Sequence, residues 1–86
     1  MLLDIKNEKG LHARASAKFV EVVEGFDADA EVLRDGNSAS GDSIMGLLML
    51  AAANGCQIEV KTTGPQASDL AAALKELVDD FFGEGK

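Results

Sequence analysis

Residues 1–6 alternate, with Leu3 and Ile5 on one side and Leu2, Asp4 and Lys6 on the other. That two-residue period is the mark of a short half-buried strand. Asn7-Glu8-Lys9-Gly10 reads as a turn. From Ala13 to about Val23 the period lengthens. Ala15, Phe19, Val22, Val23 and Phe26 recur at the spacing of one helix face, and Gly25 is placed to end the helix. Ala28, Ala30 and Val32 then alternate with Asp29, Glu31 and Leu33, a second strand. Asp35-Gly36 is a hairpin signal, which makes Asn37 to Ser40 the returning third strand.

A second, shorter helix is predicted from Ile44 to about Ala53. Asp42 or Ser43 caps its start, and Asn54-Gly55 stops it. Gly46 inside it costs about 1 kcal/mol relative to alanine, so a packing or docking reason is expected. Cys56, Ile58 and Val60 alternate with Gln57, Glu59 and Lys61, the clearest strand of the chain. Gly64-Pro65 opens the last helix, with Pro65 suited to its first position. Ala67, Leu70, Ala71, Leu74, Leu77, Val78 and Phe81 form its apolar stripe, and Gly83 to Lys86 reads as a frayed tail. The element order is βαββαβα. Each strand has one apolar face, and three amphipathic helices suffice to cover it, giving a two-layer α+β fold.

The length of 86 residues allows one domain, spanning 1–86. With 47% apolar but only 5% aromatic residues, the core must be aliphatic and rich in alanine. Such a core leaves little room for a buried small-molecule pocket, and no cofactor is expected. The net charge of −7, from 15 acidic and 8 basic residues, opposes binding to nucleic acid or to anionic membranes. A lone cysteine cannot form an internal disulfide, and one Cys with one His makes no zinc site. Cys56 is read as a small core residue in its strand. The N-terminus lacks the layout of a signal peptide, and the longest apolar run, Gly46 to Ala53, is far short of a membrane span. A cytoplasmic monomer is expected.

The candidate chemistry lies in Gly10-Leu11-His12-Ala13-Arg14-Ala15-Ser16, which holds the only histidine. His12 falls at the N-cap of the first helix or one residue away, near unpaired backbone N–H groups. A neutral imidazole nitrogen is a good nucleophile toward phosphorus, and the resulting bond is labile enough to pass the group on. Helix N-terminal amides and the positive end of the helix dipole offset the added charge. Arg14 adds a planar donor fork suited to phosphate oxygens. No other titratable group in the sequence pairs clearly with His12, so catalysis here reduces to placement and charge stabilisation.

Gly10-Leu11-His12-Ala13-Arg14 followed by Ala15-Ser16 resembles the active-site signature of the HPr family, the histidine-containing phosphocarriers of the bacterial phosphotransferase system. Ser43-Ile44-Met45-Gly46 resembles the regulatory-serine motif of the same family, and the element order agrees over essentially the whole chain. The resemblance implies an open-faced sandwich, with a four-stranded antiparallel sheet and three helices on one face. It implies that His12 accepts phosphate, on the ring nitrogen nearer the backbone, from Enzyme I charged by phosphoenolpyruvate. His12 then passes it to an EIIA-type protein while Arg14 steadies it. It also implies control by an HPr kinase/phosphorylase acting on Ser43, in bacteria that have one. Ala13, Ile44, Met45 and Leu48 would form the partner interface. Two features depart from the pattern. Ala15 stands where many members have proline. Glu21 and Glu24 stand on a helix that often carries basic residues in sugar-transporting members, a difference that points toward the nitrogen-related branch or a co-adapted partner.

Ser43 is expected to cap its helix whatever else it does. A phosphate on it would add about −1.5 to −2 charges beside Asp42 and among the apolar side chains of Ile44, Met45 and Leu48. At least one of those three is expected to be buried. Two other readings compete. Asp42-Ser43-Ile44 is close to the attachment motif of acyl carrier protein, but that fold is all-helical and leaves His12 and Arg14 unexplained. A non-catalytic regulatory module binding through the Ser43 helix is the second. A phosphate-binding loop at Gly36 to Ser43 fails because Asp42 stands where the essential lysine belongs.

Overall fold

The computed structural model describes residues 1–86. Its elements follow the predicted order: β1 (Leu2–Asp4), α1 (Ala13–Glu24), β2 (Asp29–Arg34), β3 (Asn37–Ser40), α2 (Ile44–Met49), β4 (Gln57–Thr63) and α3 (Ala67–Asp79). A final 3-10 turn spans Phe81–Gly83. The strands form one antiparallel sheet in the order β1-β4-β2-β3, with Leu3 opposite Ile58 and Val32 opposite Val60. Because side chains alternate across a strand, that register places Leu3, Ala30, Val32, Ile58 and Val60 together on the inner face, where all are buried. Leu2, Asp4, Glu31 and Lys61 occupy the outer face and are exposed. The fold is thus the expected open-faced α+β sandwich, and its sheet removes the all-helical carrier reading.

The hairpin after β2 turns as Asp35-Gly36 predicts, with φ +49° and +80° at those two residues and Arg34 paired to Asn37. Helix α1 buries Ala15, Ser16, Phe19, Val20 and Val23, while Val22 and Phe26 are only half-buried. Its apolar face is therefore rotated slightly toward Val20 relative to the predicted stripe.

Three helix boundaries depart from the sequence reading. Helix α2 ends at Met49 rather than near Ala53. Ala51 turns left-handed at φ +53°, and the following residues run alongside Gly10 and Leu11, where the Leu11 N–H donates to the Ala52 carbonyl at 2.8 Å. Alanine favours helix, but this tertiary pairing overrides the preference. Asn54-Gly55 is consequently a fastening rather than a helix stop. The Asn54 amide donates to the Lys6 carbonyl at 2.9 Å, and the Gly55 N–H donates to Ile5. Helix α3 starts at Ala67, so Pro65 lies in the preceding turn rather than at the first helical position. It ends at Asp79, after which Phe81 and Phe82 take φ +57° and +54°. That left-handed pair reverses the chain, so Phe82, fully buried, fills the core place predicted for Phe81.

The frayed-tail expectation is also corrected. Phe82 is buried, its carbonyl accepts from the Lys18 ammonium at 2.6 Å, and Glu84 is fixed by hydrogen bonds at both carboxylate oxygens. No helix is long and apolar enough to cross a membrane.

Candidate phosphoryl-transfer site

His12 is the N-cap of α1, with extended backbone (φ −76°, ψ −178°). Its side chain bends back over the first turn, so that Nδ1 accepts from the Arg14 backbone N–H at 3.3 Å. This is the geometry of a capping side chain, with an imidazole in place of the usual hydroxyl or carboxylate. The capping pull arises because the first N–H groups of a helix have no carbonyl one turn earlier.

The opposite ring nitrogen, Nε2, is hydrogen-bonded to Glu84 Oε2. This contact spans 72 residues of sequence and supplies the ionisable partner that the sequence reading did not find. The two contacts agree on the tautomer. A backbone N–H can only donate, so Nδ1 must present a lone pair. An ionised carboxylate can only accept, so Nε2 must carry the hydrogen. The imidazole side chain is 24% exposed and that of Glu84 12%.

Glu84 is itself held. Its Oε1 accepts from Asn7 Nδ2 at 2.9 Å, and the same amide donates to the Gly10 carbonyl at 2.8 Å. Asn7 is fully buried, the second site residue that sequence reasoning missed. The only available signal was its place in the turn before Gly10. For Glu84 the signal was the Phe81-Phe82 pair, which says that the chain returns to the core just before it. Burial pushes the Glu84 carboxyl up, but the hydrogen bonds from Asn7 and His12 outweigh it and hold the group below the ordinary value of 4.5.

Arg14 is exposed and makes no side-chain hydrogen bond, leaving its guanidinium free. Beside it runs an open cleft of about 290 Å³, lined by Lys9, Arg14, Lys18 and Lys86 with Glu8 and Glu84. Four of the chain's 8 basic residues therefore gather around one cleft of an otherwise acidic protein. The largest depression, about 700 Å³, lies on the outer sheet face around Leu2, Leu33, Arg34 and Cys56, and shares no residue with this site.

Ser43 is the N-cap of α2 and Asp42 is not, since the Ser43 hydroxyl accepts from the Gly46 N–H at 3.0 Å. Asp42 instead accepts from Ser40. The expected reason for Gly46 is packing: a Cβ there would stand 3.1 Å from the Ala39 methyl and 3.0 Å from Ser43 Oγ. Of the predicted interface, Ala13 is exposed, Ile44 is 39% and Met45 69% exposed, and Leu48 is half-buried. None of the α2 trio is fully buried. Leu47 and Leu50 take that role, and Met49, 81% exposed, extends the apolar surface beyond the residues named from sequence. Helices α1 and α2 pack together, but His12 and Ser43 share no hydrogen bond. Cys56 is half-buried at the sheet end rather than in the core, with its sulfur 3.3 Å from an Arg34 guanidinium nitrogen.

The chain is similar to known proteins along nearly its whole length. The family model described as the PTS HPr component phosphorylation site matches residues 2–80. The chain is 43% identical over 84 residues to the phosphocarrier protein HPr of Neisseria meningitidis, covering 98% of this chain and 94% of that one. It is 42% identical over 83 residues to the phosphocarrier protein NPr of Escherichia coli, covering 95% and 92%. A crystal structure of HPr from Thermoanaerobacter tengcongensis superimposes with a TM-score of 0.93 at 32% identity, over 98% and 94% of the two chains.

Proposed function

Because the chain belongs to the HPr family of phosphocarriers of the phosphotransferase system, we propose that His12 is its phosphoryl-carrying residue, charged by phosphoenolpyruvate through Enzyme I and discharged to an EIIA-type protein. The observation that carries this reading is the pair of contacts at His12, Nδ1 with the Arg14 backbone N–H at the start of α1 and Nε2 with the Glu84 carboxylate, which together favour a lone pair on Nδ1. A phosphoryl group on Nδ1 would lie at the helix N-terminus, where orphan amides and the dipole favour negative charge. Arg14, two residues along the same helix start, lines a cleft together with Glu84, and its free guanidinium would steady the group.

Ala13 and the apolar surface of Ile44, Met45, Leu48 and Met49 form the docking face in this reading. An exposed apolar patch beside a charged centre is what a transient protein partner needs. Phosphate on Ser43 would place charge in that face and lower transfer without unfolding α2, since the helix start tolerates anions. Glu21 and Glu24 are exposed on α1 and favour partners whose docking surface is less acidic.

Incubation with phosphoenolpyruvate, Mg²⁺ and an active Enzyme I tests the proposal, with mass spectrometry and ³¹P NMR as readouts. One acid-labile phosphate is expected, abolished in His12→Ala and formed more slowly in Arg14→Gln. No labelling of the wild-type protein, or equal labelling of His12→Ala, would overturn it. In the first case the α2 patch, as a non-catalytic binding surface, would become the leading reading.

A further inference from the structure

We propose that Glu84 is a positioning residue for phosphoryl transfer, setting the His12 tautomer on the way in and keeping the ring hydrogen in place on the way out. This rests on the reading of His12 as the carrier. In isolated imidazole the hydrogen exchanges between the two nitrogens, and only the unprotonated one attacks phosphorus. Here the Nε2 hydrogen faces a carboxylate whose other oxygen is tied to a fully buried amide, so neither ring nor carboxylate is free to turn. Nδ1 carries no hydrogen and presents its lone pair at the helix start, where it accepts only the long contact from the Arg14 N–H at 3.3 Å. A ring held in this way needs no rotation or proton exchange before attack.

The charge changes follow. When the Nδ1 pair bonds to phosphorus, the bond between phosphorus and the donor's leaving atom breaks, and its electrons stay with that atom. The Nε2 hydrogen remains, so the phosphorylated ring is cationic and sits against the Glu84 carboxylate. When an acceptor's nucleophile attacks the phosphorus, the Nδ1–P bond breaks and its electrons return to Nδ1. The ring leaves neutral, with its Nε2 hydrogen where it began, and no proton enters or leaves at His12. Glu84 thus stabilises the ring cation, the form in which nitrogen is the better leaving group.

The tail is built for this task. Phe81 and Phe82 both hold left-handed backbone, and Gly83 follows at φ +75°. Such conformations persist only where the surroundings over-determine them. Burial of Phe82 and the Lys18 bond to its carbonyl fix the turn, and its product is the delivery of Glu84 to Nε2. The other charged groups around the carboxylate are Lys18 and Arg14 from α1, Lys9 and Glu8 from the preceding loop, and Lys86 from the tail.

The test uses ¹⁵N-histidine-labelled full-length protein, read by NMR before charging and by single-turnover phosphorylation with Enzyme I. Glu84→Ala removes the acceptor, Glu84→Gln keeps an oxygen but removes the charge, and Glu8→Gln makes the same charge change in the same cleft without touching His12. Wild type and Glu8→Gln should show the Nε2–H tautomer. Glu84→Ala should move toward the mixture of free imidazole and lose roughly 10- to 100-fold in transfer rate, the worth of a hydrogen bond to a charged group, with Glu84→Gln between. A Glu84→Ala protein that is folded, has the wild-type tautomer and is charged and discharged at the wild-type rate would overturn the role while leaving the carrier reading intact. Failure of the wild type itself to take phosphate would overturn both.

Discussion

Gly10 and Ala52 meet backbone to backbone: a Cβ at position 10 would lie 2.4 Å from the Ala52 carbonyl oxygen and 2.8 Å from the Ala53 Cα. Gly10 also sits at φ +66°, where side chains are strained. Position 10 is therefore closed to any larger residue on two counts. Gly10→Ala should destabilise the protein by about 2–5 kcal/mol, from backbone strain and overpacking together. It should also slow phosphorylation, since the loop it distorts leads directly into His12. Urea unfolding and the Enzyme I assay, done on the same preparation, check both halves.

Phe82 belongs to the core and to the tail at once. Phe82→Ala should cost about 3–5 kcal/mol in denaturant unfolding. Because Glu84 follows two residues later, the loss should also free the His12 ring. A more distant core truncation such as Leu70→Ala should destabilise comparably without altering the His12 ring resonances.

Glu84 makes the tail sensitive to acid. Its carboxyl ionises more readily in the folded protein than in the unfolded chain, where the ordinary value is 4.5. In the acidic range the unfolded state then binds more protons, so stability falls as pH falls. The contribution is complete above about pH 4.5 and is lost as the pH drops through the lower folded value. Asp79, whose carboxyl is lowered by Lys75 and then Lys6, acts in the same direction. Melting temperatures measured from about pH 6 to about pH 3 should fall less steeply for Glu84→Gln than for wild type.

Ser43 has a cap to lose. Ser43→Ala should cost about 1 kcal/mol and lower the melting temperature by roughly 4–8 °C. Ser43→Asp keeps an acceptor for the Gly46 N–H, so it should retain most of that stability while reducing transfer to and from partner proteins. Calorimetry and the phosphorylation assay together separate the cap from the proposed control.

Cys56 should be more reactive than an ordinary cysteine. A backbone hydrogen bond at Ala53, then the Arg34 guanidinium, hold its thiol below the usual value of 9.0 against the effect of burial. The pH midpoint of iodoacetamide alkylation should therefore rise in Arg34→Gln. The same variant should loosen the end of α2, because Arg34 also donates to the Leu50 carbonyl at 3.0 Å.

What the sequence made legible was whatever repeats locally. Strand alternation placed Val32, Ile58 and Val60 inside, and the change of period at Ala13 put His12 within one residue of the helix N-cap, which it occupies. What it concealed was set by contacts distant in sequence. Ala51 to Ala53 are good helix formers that leave the helix to pair with Leu11. Gly-Glu-Gly-Lys has the composition of a loose end, yet one carboxylate in it closes on the His12 ring. Neither contact leaves a periodic trace, because each is a single tie between loops.

Those ties share one property. His12 and Glu84 are 72 positions apart, Asn7 and Glu84 77, and Lys18 and Phe82 64. Closing such long loops costs entropy that is recovered only once the intervening chain is already packed. A partly folded chain would still display a histidine, but with its hydrogen unassigned and its neighbours absent. Competence to carry phosphate would thus be among the last properties the chain acquires, and an immature molecule would not compete for charge with a finished one.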